Sequence, residues 1–156
     1  MGERVVVAGV DGSPSSRRAL RWALGQAALT GARLRAVTAW EFPAFYTWEG
    51  GPLPPDDFSQ DARQSLDETV DEALVEGEFA QVQIERQVRH GHSAQVLLDA
   101  SEGAELLVVG SRGHGSFYSA LLGSVSQRCA VHALCPVVIV RSEVGRVTAD
   151  EVDAVE

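Results

Sequence analysis

The chain has 156 residues, a formal net charge of −9 and 45% hydrophobic residues. That length suits one domain with a real core, and the apolar share argues against disorder. The negative charge sets nucleic acid aside as a partner, and no apolar run approaches the roughly 20 residues a membrane span needs, so no membrane partner is expected.

There is no lysine; all 13 basic residues are arginine. A Walker-type P-loop, Schiff-base chemistry and a kinase-type lysine are therefore excluded. The N-terminus runs from Arg4 straight into Val5-Val6-Val7 without a signal-peptide design. Cys129 and Cys135 sit among apolar residues and read as small core thiols, not a disulfide, which suits a reducing cytoplasm.

Val5 to Val10 reads as a strand of small apolar residues ending in the turn Asp11-Gly12-Ser13-Pro14. Ser13 is placed to cap the next helix, with Pro14 at its first position. Ala19, Leu20, Ala23, Leu24, Ala27 and Ala28 fall on one face of that helix, which Gly31 ends. Arg17, Arg18 and Arg21 lie off this face, as on a solvated surface. Leu34 to Ala39 is the second strand. Trp40 to Phe58 holds four prolines, Gly50-Gly51 and the aromatics Phe42, Phe45, Tyr46 and Trp48; it reads as a long loop that either covers a ligand or packs back on the domain.

Leu66, Val70, Ala73 and Leu74 mark an acidic helix from roughly Gln60 to Glu78. Val82, Ile84 and Val88 alternate with polar residues, as at a sheet edge. A third helix runs through Val96, Leu97 and Ala100. Leu106 to Val109 is a short apolar run stopping at Gly110, the pattern of a buried parallel strand. A helix from about Ser124 to Ala133 and a last strand, Val137 to Val140, complete residues 1–141. Residues 142–156 form an acidic tail poor in aromatics, expected to be disordered.

The alternation of strands and helices predicts an open α/β fold, a mostly parallel sheet with helices on both faces. Ligands in such sheets bind beyond the strand C-termini, where the strand order reverses. Gly9-Val10-Asp11 and Gly110 to Gly113 leave strand ends and face one crevice if the first and fourth strands are neighbours. The second of these loops has a long spacing: Gly110, two residues, Gly113, nine residues, Gly123-Ser124. Glycines let the backbone come close to a ligand, and the helix N-terminus that follows favours an anion. Ser124 and Ser126 can donate hydroxyls to phosphate or cap the helix, and Arg112 can reach a phosphate or stay solvated. Asp11 can accept ribose hydroxyls, hold a hydrated cation against phosphate, or form a turn. His114 reads as a polar loop residue. His90 and His92 have no third ligand at a sensible spacing, and no Gly-x-Ser-x-Gly elbow supports a hydrolase triad.

Gly110-x2-Gly113-x9-Gly123-Ser124 resembles the signature of the universal stress proteins, in their ATP-binding branch. Val7 to Ser16, Val37 to Trp40, Leu122 to Ser126 and Cys135 to Val140 are similar to other segments of that family. The resemblance implies a five-stranded parallel sheet in the order 3-2-1-4-5, Rossmann-like and of the adenine nucleotide alpha hydrolase-like kind. It implies ATP or another adenine nucleotide, with Mg²⁺, as ligand. Asp11, with Gly9 and Val10 beside it, would meet the ribose or the metal–phosphate region, touching metal only through water or Mg-ATP. Ala39 would meet adenine, and Val109, Gly110 and Gly113 the ribose and phosphate. Gly123, Ser124, Val125 and Ser126 would hold the phosphates. It also implies a homodimer through the last strand, Val137 to Val140, whose bare edge is otherwise an association hazard. The leading expectation is an ATP-binding regulator of the stress response rather than a fast enzyme. The competing readings are a slow Mg-dependent ATPase or phosphotransferase and a nucleotide-free dimeric scaffold.

Overall fold

The computed structural model describes residues 3–42, 57–113 and 122–142. Strands and helices alternate as β1 (Val5–Gly9), α1 (Pro14–Thr30), β2 (Arg33–Trp40), α2 (Asp57–Leu74), β3 (Ile84–His90), α3 (Ser93–Ala100), β4 (Leu106–Gly110), α4 (Ser124–His132) and β5 (Val137–Val140). The strands form one parallel sheet in the order β3-β2-β1-β4-β5. The first and fourth strands are neighbours, with Val7 opposite Leu107 on one side and Arg35 on the other.

Val6, Val7 and Ala8 of β1 and Leu107, Val108 and Val109 of β4 are all buried, because both faces of the central strands are covered. Strand alternation sorts them into two cores. Val6 and Ala8 pack with Ala19, Leu20, Ala23 and Leu24 of α1 and with Leu66 and Val70 of α2. Val7 packs with Val37, with Val96, Leu97 and Ala100 of α3, and with Cys129 of α4. Hence α1 and α2 cover one face and α3 and α4 the other. Cys129 and Cys135 are both free thiols. Burial, with Cys135 nearby, pushes the Cys129 thiol up to about 11, so it behaves as a small core side chain.

The start of α1 follows its sequence. Ser13 is the N-cap, its hydroxyl accepting from the Ser16 N–H at 3.3 Å, with Pro14 in the first turn. The second helix is displaced from its expected bounds. It begins at Asp57 and ends at Leu74, where the Gly77 N–H turns back to the Leu74 carbonyl at 3.0 Å. Val75 and Glu76 continue a helical composition, so the sequence pattern overshoots the true end. Arg17 and Arg21 are not merely solvated: they reach Glu72 at 3.1 Å and Glu76 at 3.9 Å. Their side chains are more than half exposed, so each pair contributes under about 1 kcal/mol.

The two sheet edges differ. On β3, Glu85 accepts from Arg35 Nε at 3.0 Å, and Arg86 reaches Asp67 and Asp71 of α2 at 3.0 and 2.8 Å. On β5, Val137 to Val140 are half-buried, and no other described strand pairs with their outer side. At the end of β2, Phe42 packs edge-on against Trp40 at 5.1 Å and Phe58 at 5.9 Å, so this aromatic turns back on the domain. Phe45, Tyr46, Trp48, His114 and the tail beyond residue 142 lie outside the described residues. No described helix is long and apolar enough to cross a membrane.

Candidate functional site

The chain leaves β1 toward α1 and β4 toward α4, on opposite faces of the sheet, so a crevice opens where the two strands end side by side. Asp11 stands exposed just beyond β1. Its Oδ1 accepts the Ser13 N–H at 2.8 Å, and its own N–H donates to Ser16 Oγ at 3.0 Å. Asp11 is thus a turn-forming aspartate. The other oxygen, Oδ2, faces Gly113, where an added Cβ would stand 2.9 Å from it. The structural and the ligand-facing roles expected of this residue are therefore compatible, one for each oxygen.

The loop after β4 is pinned to the start of α1. The Arg112 carbonyl accepts from Ser13 Oγ at 3.3 Å and also from Ser15 Oγ, and the Arg112 N–H donates to Ser15 Oγ at 3.2 Å. A Cβ on Gly110 would lie 2.5 Å from Ser15 Oγ and 2.7 Å from the Ser15 carbonyl carbon and the Ser16 nitrogen. Main-chain atoms in a helix cannot yield as a side chain can. Gly110 is bare so that α1 can approach the sheet, a reason the spacing of the glycines does not reveal.

On the far side, α4 opens at Gly123, which supplies no side-chain cap, and no acidic residue lies in its first turn. The Gly123 N–H donates to the Ser111 carbonyl at 2.7 Å. The N–H groups of Ser124, Val125 and Ser126 have no intrahelical acceptor, and the positive end of the helix dipole adds to them. Ser124 is exposed. Ser126 is buried, and its hydroxyl donates to the carbonyls of Gly123 at 2.9 Å and Ser111 at 3.2 Å. Of the two hydroxyls expected at the phosphates, that of Ser126 is therefore occupied in bracing the loop.

These segments enclose an open hollow of about 290 Å³, near the small end of ligand sites. It is lined by Gly9, Val10, Asp11, Ala39, Val109, Gly110, Arg112, Gly113, Gly123, Ser124, Val125 and Ser126, the complete set the sequence singled out. Ser16, Val37, Ser93 and Leu97 line it as well and were missed. Val37 and Leu97 are apolar at periodic positions, which reads as core, and both are indeed buried. Ser16 and Ser93 sit in first turns, where serine reads as helix punctuation. A Cβ on Gly9 would stand 2.8 Å from Leu97 Cδ1, so that glycine lets α3 close the wall.

Fold and hollow together define an open, doubly wound α/β protein with a crevice at the reversal of strand order and an uncapped helix end beside it, of the kind that suits an anion. The chain belongs to the universal stress protein family: the family model matches residues 3–141. Universal stress protein Rv2624c of Mycobacterium tuberculosis is 33% identical over 150 residues, covering 94% of this chain and 52% of that one. Universal stress protein Rv2005c of the same organism is 37% identical over 139 residues, covering 87% and 45%. The chain thus spans about half the length of the curated relatives it matches. Among solved structures, a universal stress protein in complex with cAMP superposes with a TM-score of 0.69 at 28% identity, over 92% of this chain and 100% of that one.

Proposed function

We propose that the hollow binds an adenine nucleotide, ATP with Mg²⁺ in the first instance, and that the protein is a nucleotide-dependent regulator of the stress response in the cytoplasm. The observation that carries this reading is the convergence of all twelve sequence-selected residues on one hollow that ends at the open amides of α4. The related protein that binds cAMP supports an adenine nucleotide as the ligand class. The base lies against the β2 and α3 wall, near Ala39. Asp11 Oδ2 takes a ribose hydroxyl or a water of the magnesium shell, and the phosphates meet Gly113, Ser124 and the first-turn amides of α4. Binding then shifts a conformational or partner equilibrium.

Thermal unfolding with ATP, AMP, cAMP and Mg²⁺ tests the reading. A ligand at 100 times its dissociation constant adds ~2.7 kcal/mol, a rise of roughly 5–10 °C for a domain of this size. No rise with any of these nucleotides at millimolar concentration sinks the proposal. Residues 1–141 form the folded unit, and the bare β5 edge pairs with a second copy to give a homodimer. A monomeric mass in sedimentation overturns the dimer.

A further inference from the structure

Four serines line the hollow, and their hydroxyls are in two different conditions. Ser16 Oγ accepts the Asp11 N–H at 3.0 Å, and Ser126 Oγ donates to two carbonyls. Those two hydroxyls are occupied in holding loops. Ser124 and Ser93 are exposed, and neither hydroxyl makes a hydrogen bond to another described residue. Ser124 lies on the part of the lining built from α4, where anion donors gather. Ser93 belongs to the part built from β2 and α3, whose other members are Val37, Ala39 and Leu97.

That second wall is apolar, with Val37 and Leu97 packed into the core beneath it. An apolar wall receives the flat face of a base, and a base also carries ring nitrogens and exocyclic groups around its rim. Ligand sites of this kind fix orientation with a few placed polar groups. Among the described residues Ser93 supplies the polar side chain on this side, and a hydroxyl can both donate and accept. We propose that Ser93 reads the base: its hydroxyl hydrogen-bonds the polar rim of the adenine, while the α4 wall reads only the phosphates. This rests on the adenine-nucleotide reading of the hollow. It assigns the distinction between a nucleotide and a bare phosphorylated sugar to a residue outside the glycine signature.

The test compares Ser93→Ala and Ser93→Thr with the unaltered protein, measuring affinity for ATP and for ribose 5′-triphosphate, which keeps the sugar and phosphates but lacks a base. One neutral hydrogen bond corresponds to about a threefold to tenfold change in affinity. Ser93→Ala is expected to weaken ATP by that factor and leave ribose 5′-triphosphate unchanged, and Ser93→Thr, which restores a hydroxyl, to recover ATP affinity. Equal losses for both ligands, or no loss for ATP, overturn the proposal. If the unaltered protein binds no ATP, the adenine-nucleotide reading falls and this assignment with it. If the unaltered protein binds ATP and Ser93→Ala binds it equally well, only this assignment falls.

Discussion

Of the helix ends that look into the hollow, those of α1 and α4 are treated in opposite ways. The start of α1 is filled by the chain itself: Ser13 caps it, Asp11 accepts the Ser13 N–H and donates its own N–H to Ser16 Oγ, and Ser13 and Ser15 hold the Arg112 carbonyl. The start of α4 opens at a glycine with no side-chain cap and no acid in its first turn. Both ends carry the same backbone dipole. The difference between them separates an end closed by the chain from the end proposed to meet the ligand. A hollow needs one rigid side to hold the open side in place, and here the serines of α1 supply it.

The largest effect is expected where the closed end meets the sheet. Gly110→Ala places a methyl against main-chain atoms of Ser15 and Ser16. Overpacking of this kind costs about 3 kcal/mol, or roughly 6–12 °C in thermal midpoint. An unchanged midpoint would mean that α1 does not approach as closely as described.

Gly113→Val sharpens the contrast from within the same loop. Among the described residues its Cβ meets Asp11 Oδ2, the tip of a side chain that can turn aside, so the fold is expected to survive within about 1 kcal/mol. The branched side chain would occupy the proposed phosphate path, and ATP affinity is expected to fall more than 100-fold by titration. Normal ATP binding would show that the phosphates do not run past this residue.

Ser124→Asp has the smallest effect on the folded protein and inverts its relation to the ligand. A carboxylate in the first turn of α4 complements the dipole and is expected to raise apo stability by about 0.5 kcal/mol. The same carboxylate repels a phosphate, so ATP protection in thermal unfolding is expected to shrink or vanish. A variant less stable than the original would show that the helix end is not open as described.

Much of this arrangement was legible in the sequence because it is written in period and spacing. Val5 to Val7 and Leu106 to Val109 are short apolar runs that only a covered parallel strand accommodates, and together with the helical patterns between them they define the layers. The glycines and the strand-end aspartate marked which loops carry the hollow. What escaped was written only in three dimensions. Nothing in the spacing says that Gly110 is bare for α1 while Gly113 faces Asp11. Nothing separates the hydroxyl of Ser126, turned toward Ser111, from that of Ser124 two residues away. Val37 and Leu97 belong to core and wall at once, which periodicity reads only as core. The end of α2 at Leu74 was missed because Val75 and Glu76 suit a helix as well as the turn they form.

The unlike margins of the sheet have a consequence for assembly. Along β3, arginines and carboxylates are matched to one another and to α2, and charges on an edge strand disfavour the addition of another. Along β5, four aliphatic residues offer their backbone groups outward. The half-buried aliphatic margin is the one that favours strand addition. If two copies meet at β5, as proposed, the pairing uses up that margin in both and assembly ends at two chains.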